Sequence, residues 1–315
     1  MDLLIGEDAN TVNKDSSKLD AESFIAACDQ AQLQVVQLMR PWLVRWWNGW
    51  TKIKNHPFDT TQAFVDRYVQ SAAKDFEAPG SGPISRSPAL LDEMVREVGT
   101  QDQAFIRNQI LNVFMPGRDS VAIMASHIFF RLARSPAVYE KVREEVLAAG
   151  LEWLSYENLK SLSYINAVMN ETLRLGGPPN GVTARDVIND IVLPRGGGQH
   201  GDEPMLVPRG SIVYVQIQAL HRDESAWPDP HAFRPERWLE LSKTSQNVGY
   251  EYMPFGGGRR TCPAMRLVMN ELVYIVAAFA MRFKEIQNRD PEEQLFEVGS
   301  IVMKIRNGVQ VELVT

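Results

Sequence analysis

One short segment constrains this chain more than any other: Phe255–Ala264, which reads Phe-Gly-Gly-Gly-Arg-Arg-Thr-Cys-Pro-Ala. It sets one of only two cysteines among 315 residues in a glycine-rich loop, with two arginines just before the sulfur. An apolar, helix-like run from Met265 to Phe283 follows directly. A cysteine so placed sits at a helix N-terminus, where unpaired N–H groups and the helix dipole favour a thiolate, and Pro263 suits the first helical turn. The glycines let the backbone come close to a flat ligand. Two other readings compete. A lone cysteine is most often a small buried hydrophobe, and a Gly-Arg loop can hold phosphate. The phosphate motifs fail on pattern, because Gly256, Gly258 and Thr261 do not complete G-x-G-x-x-G and no Gly-Lys-Ser/Thr follows.

Composition narrows the class. With 44% hydrophobic and 23% charged residues the chain reads as soluble and globular, long enough for an ample core. A net charge of −6 gives no case for nucleic acid as a partner. Cys28 and Cys262 are far apart and form no C-x-x-C, which disfavours a disulfide framework and a zinc site. H-E-x-x-H and G-x-S-x-G are absent. No stretch reaches the roughly 18 apolar residues of a membrane-spanning helix, and Met1–Asp8 lacks the basic and long apolar parts of a signal peptide.

Apolar spacing near 3.6 predicts helices over Ser23–Arg40, Phe64–Phe76, Gln101–Leu132, Glu140–Leu147 and Tyr164–Leu175. Pro41 ends or kinks the first, and Trp42, Trp46, Trp47 and Trp50 follow as an aromatic cluster, read equally as core or as a substrate-channel wall or interfacial anchor. Ala78–Pro83 reads as a loop. Pro116-Gly117 invites a kink in the longest helix. Directly after it, Asp119 and Ser120 are flanked by Val113, Phe114, Val121 and Ile123, an apolar setting in which polar groups need a purpose. Leu193–Gly198 reads as a turn, Gly210–Val215 as a short strand, and Asn307-Gly308 as a hairpin turn. Glu171 and Arg174 share one helix face at i,i+3.

The spacing Phe255-x-x-Gly258-x-Arg260-x-Cys262 resembles the haem-binding loop of the cytochromes P-450, a family whose haem iron is held by a cysteine thiolate. Further motifs appear in that family's order. Pro116-Gly117-Arg118-Asp119-Ser120-Val121 is similar to Ala/Gly-Gly-x-Asp/Glu-Thr-Thr, with Pro116 and Val121 departing from it. Glu171-Thr-Leu-Arg174 and Phe233-Arg234-Pro235-Glu236-Arg237-Trp238 are similar to the E-x-x-R helix and the Pro-Glu-Arg segment. The resemblance implies a mainly α fold with small β elements, one domain over residues 1–315. It also implies that the family's N-terminal portion, with its anchor, first helices and most of the small sheet, is missing.

It implies roles for residues as well. Cys262 is the axial ligand of haem b, with Phe255, Gly258, Arg260 and Arg185 about the cofactor. Asp119 and Ser120 deliver protons to bound O2, and Glu171, Arg174 and Arg237 form a buried clamp holding the cysteine loop. Phe114, Pro178, Val182, Ile301 and Val302 line the substrate pocket, and Glu271 falls on a family position. The implied reaction inserts one oxygen atom of O2 into an apolar small molecule, fatty acid- or alkane-like or a fungal secondary-metabolite intermediate. Electrons come from NADPH through cytochrome P-450 reductase, for which Arg222, Arg259 and Arg266 offer a basic patch, and the family works on the cytosolic face of the endoplasmic reticulum. Details of the motifs look most like the fungal branch that hydroxylates alkanes and fatty acids. Two other readings stay open: a truncated homologue without activity, and a haem-thiolate isomerase or dehydratase that inserts no oxygen.

Overall fold

The computed structural model describes residues 2–5, 21–38, 56–77, 89–150, 155–177, 182–244, 248–293, 295, 297–299 and 303–315. Among these residues helices dominate, with four two-stranded antiparallel sheets. Contacts divide the chain into two compact units, residues 1–119 and 120–315.

The first unit holds α1 (Asp2–Ile5), α2 (Ala21–Leu38), α3 (His56–Glu77), α4 (Leu90–Val98) and the first half of α5 (Gln103–Arg134). Its core is built from helix-spaced apolar side chains: Phe24 and Cys28 of α2, Phe64 and Val69 of α3, Leu91 and Val95 of α4, and Ile106, Ile110 and Phe114 of α5. Phe24 stacks on Phe64 with centroids 4.1 Å apart. The α3 helix begins eight residues before the predicted start, because Pro57 is tolerated in a first turn and Asp59 suits the positive end of the dipole. The tryptophan cluster and the Ala78–Pro83 loop lie outside the described residues.

The second unit contains the rest of α5 and α6 (Pro136–Ala149), α7 (Tyr156–Ser161), α8 (Ser163–Leu175), α9 (Ile217–Leu220), α10 (Glu236–Thr244) and α11 (Met265–Arg282). Ile128, Leu132, Val142, Val146, Ile165, Met169, Leu272 and Val276 form its centre. The long α5 helix continues through Pro116. A carboxylate distant in sequence caps α8: Glu145 accepts from the Tyr164 N–H at 2.8 Å and the Ile165 N–H at 3.0 Å, satisfying two of the donors a helix start leaves open.

The strands pair as β1 (Val182–Asp186) with β4 (Ile212–Gln216), β2 (Ile191–Gly197) with β3 (Glu203–Val207), β5 (Glu285–Asn288) with β8 (Val311–Val314), and β6 (Glu297–Gly299) with β7 (Met303–Ile305). Two expectations are corrected here. Leu193–Gly198 is mostly strand, not turn: its register shifts between Leu193 and Gly197, and a Cβ at Gly197 would collide with the Pro204 carbonyl. That glycine serves a close strand approach at a bulge. Asn307-Gly308 turns the chain, with the Gly308 N–H on Ile305 O at 3.1 Å, but it joins no paired strands. The terminal hairpin is β6–β7.

Candidate active site

The Cys262 loop is anchored from a carboxylate 91 positions earlier in the chain. Glu171 and Arg174 lie one turn apart on α8, where both are sealed from solvent. Arg174 grips Glu171 bidentately, Nε to Oε2 at 3.0 Å and Nη2 to Oε1 at 2.8 Å. Arg237, on the first turn of α10, adds Nε to Oε1 at 3.0 Å. Trp238 Nε1 and the Arg234 N–H complete five donors to one carboxylate, at 3.0 and 3.1 Å. The guanidiniums spend their other donors on carbonyls, Arg174 on His221 and Pro230 and Arg237 on Pro228 and Asp229. The predicted triad is therefore assembled, and it pins the segment from His221 to Ala232 around it.

His221 carries the connection onward. Its carbonyl accepts from Arg174 and its ring Nε2 accepts the Met253 N–H at 2.8 Å. Tyr252, next to Met253, donates its hydroxyl to Asn170 on α8 at 3.1 Å. The stretch leading into the cysteine loop is thus tied twice to α8. Burial pushes His221 down to about 4, whereas an unfolded histidine titrates near ~6.5. The neutral ring's contribution to stability is then fully present above about 6.5 and is lost as pH falls through about 4. The urea midpoint is expected to fall across that interval. His221→Gln, whose carbonyl can still accept the Met253 N–H, should flatten part of the fall; an unchanged pH profile would contradict this.

Within the loop the Cys262 N–H donates to Phe255 O at 2.9 Å, and Thr261 closes a turn on Gly258 O through its N–H at 3.2 Å and its hydroxyl at 2.7 Å. Gly256 and Gly258 take positive φ, 74° and 68°, a conformation L side chains disfavour. Nothing lies within 4 Å of where a Gly258 Cβ would sit. Phe255 packs against the second unit's core, while Arg259 and Arg260 are exposed. Cys262 is a free, half-buried thiol directly before α11. The other cysteine is unsuited to ligation: Cys28 is fully buried, and burial pushes its thiol up to about 11.

The sequence profile of the family described as Cytochrome P450 matches residues 3–312. This chain belongs to that family. Among relatives of this P450, cytochrome P450 monooxygenase apdE of Emericella nidulans is 46% identical over 61% of this chain and 36% of its own length. Cytochrome P450 52A3-A of Candida maltosa is 35% identical over 73% and 44%, and cytochrome P450 monooxygenase himC of Aspergillus japonicus 32% over 99% and 55%. The chain thus spans from about a third to just over half the length of these relatives. The heme domain of cytochrome P450DA shares the fold, with a TM-score of 0.76 at 19% identity over 99% of this chain and 63% of that one.

Membership implies haem iron ligated by a cysteine thiolate, and the loop fits that group. Cys262 makes no disulfide, its backbone is held by Phe255, and the loop is open at Gly258. The remaining predicted residues are scattered. Asp119 is buried on α5, where its Oδ2 accepts from Gln32 Nε2 and its Oδ1 from Arg118 Nε, both at 2.7 Å; Ser120 follows it, partly exposed. Phe114 sits in the first unit's core, 5.1 Å from the Phe24 ring. Arg185 is exposed on β1, bonding Thr183 Oγ1 at 3.0 Å and Ala184 O at 2.7 Å. Val182 opens β1, and Pro178, Ile301 and Val302 lie outside the described residues. Arg222 does not stand out as a surface cation: its Nη2 is drawn onto Leu175 O at 2.6 Å. Sequence reasoning missed His221, Trp238 and Gln32. Trp238 was visible as the residue after Arg237, but nothing local signals the other two.

Proposed function

We propose that this P450 chain, as one domain over residues 1–315, carries a haem-thiolate monooxygenase activity on an apolar organic substrate, fatty acid- or alkane-like or a fungal secondary-metabolite intermediate. The observation that carries the reading is the free Cys262 thiol on a loop tied back to a five-donor carboxylate clamp. Bound at Cys262, the iron supplies oxygen activation, with electrons from NADPH through a P450 reductase that docks on the exposed Arg259 and Arg266. Arg260 and Arg185 would hold the cofactor's carboxylates, for which a forked guanidinium is suited, and Phe255 and Gly258 would form the surface beside it.

Asp119 and Ser120 hold and pass protons. The Asp119 carboxylate, fixed by Gln32 and Arg118, accepts at its oxygens, and the Ser120 hydroxyl supplies an exchangeable donor one position on. Phe114, Pro178, Val182, Ile301 and Val302 shape the apolar pocket. No described helix is long and apolar enough to cross a membrane; the setting we assign, the cytosolic face of the endoplasmic reticulum, rests on family membership alone.

The reduced, carbon-monoxide difference spectrum of the purified chain tests the reading. A peak at the thiolate-ligated position is expected, followed by NADPH-dependent product carrying one labelled atom from isotopic O2. A missing or neutral-ligand peak would favour the inactive short homologue, and unlabelled product formed without NADPH would favour an isomerase or dehydratase.

A further inference from the structure

Residues of α7, α8 and α11 enclose a groove of about 600 Å³ in the second unit. Small-molecule sites span roughly 300–1,000 Å³, so the space is ample for one. One wall is the stretch leading into the cysteine loop, from Tyr252 to Gly256. Neither Cys262 nor any residue of α5 lines the groove among the described residues. It is therefore separate from the ligand position described above, and the proposed oxidation gives it no role.

The lining combines two kinds of surface. Met253, Phe255, Met265 and Met269 are apolar, and thioether chains reshape readily around a guest. Met265 is left 38% exposed, apolar area that an occupant would take out of water. The charged lining residues are Lys160 and Arg266, both exposed, with no Asp or Glu among them. In a chain whose acidic side chains outnumber basic ones by 39 to 33, a groove with cations alone is a selective feature. The amides add donors. Asn170 Oδ1 accepts the Tyr252 hydroxyl at 3.1 Å, which fixes the amide's orientation and leaves its NH2 to give. Asn270 brings a second amide from α11. Inorganic phosphate would answer the cations and leave the methionines wet; a hydrocarbon would do the reverse.

We propose that this groove binds a free medium-chain carboxylic acid, its apolar body on Met253, Met265 and Met269 and its carboxylate held by Lys160, Arg266 and the asparagine amides. Pairing complementary charge at the head with apolar burial along the chain uses both parts of the lining at once. A bound acid would also rest against Phe255 and Gly256, and so brace the loop that carries Cys262.

The methionines supply the readout. The full chain, labelled with 13C at the methionine methyls, would be titrated with decanoate, decanol and acetate at constant ionic strength. Decanoate is expected to shift the Met253, Met265 and Met269 signals saturably, while Met205, exposed on β3, stays still. Decanol and acetate, each lacking one half of the ligand, should need far higher concentrations. The Lys160→Glu/Arg266→Glu variant, altered only at exposed positions, should bind decanoate at least about tenfold more weakly, as loss of a charge-assisted hydrogen bond implies. Unmoved groove signals, or Met205 moving in parallel with them, overturn the site. Decanol acting as well as decanoate, or affinity that survives charge reversal, overturns the acid assignment. Should the variant not fold, the comparison of decanoate with decanol on wild type decides alone. None of these signals depends on turnover, so the groove and the proposed oxidation fail or stand separately.

Discussion

Exchanging Glu171 for glutamine is expected to lower the stability of the chain by about 3–5 kcal/mol, the loss typical of breaking a buried ion pair from one side. The side chain keeps its shape, but five donors converge on it. Oε1 accepts from Arg174 Nη2, Arg237 Nε and the Arg234 N–H, and Oε2 from Arg174 Nε and Trp238 Nε1. Whichever way the amide is turned, its NH2 meets at least two N–H groups head on, while two buried guanidiniums lose their shared counter-charge. Urea unfolding would measure the loss. The Arg234–Glu240 pair, 3.3 Å apart with both side chains well exposed, provides the control: Glu240→Gln should cost under about 1 kcal/mol. A Glu171→Gln variant as stable as that control would show that the clamp is dispensable. Because Arg174 also holds the His221 carbonyl and His221 holds Met253, the variant should in addition hold haem less firmly.

That clamp shows how much of the site could be read from sequence, and where reading stopped. Glu171 and Arg174 are one turn apart, and Arg237 follows Pro235-Glu236, so the three were recognisable as short motifs in a known order. The number of donors was not, because the Arg234 N–H and the carbonyls of His221, Pro228 and Pro230 are backbone groups with no residue signature. His221 was missed since a single histidine in a loop carries no pattern; only the fold brings its Nε2 to Met253, 32 positions away. Gln32 meets Asp119 across 87 positions, equally beyond any local rule. Helices were legible wherever apolar spacing persisted, with α8 and α11 found to within a residue at each end. The error at Leu193–Gly198 has a definite cause. Proline and three glycines read as a turn by propensity, yet pairing with β3 overrides it, and Gly197 is there to let Pro204 approach.

The two cysteines should respond to substitution in opposite ways. Cys262→Ser is expected to leave stability within about 0.5 kcal/mol of wild type, because the residue is half-buried and the loop is closed by its backbone N–H on Phe255 O, which serine retains. It should nevertheless abolish the thiolate-type carbon-monoxide spectrum, since a serine hydroxyl is a far weaker ligand for haem iron than a thiolate. Cys28→Ser reverses the pattern. That thiol is fully buried among Phe24, Phe64 and Ile106, so a hydroxyl there costs about 1–3 kcal/mol, while the spectrum per folded molecule should be unchanged. Absorbance and unfolding measured on both variants separate ligand from core residue without reference to any substrate. A Cys262→Ser chain that kept the thiolate spectrum would remove the basis for the proposed function. Loss of the spectrum in both variants at full stability would mean that the ligand assignment rests on something other than this loop.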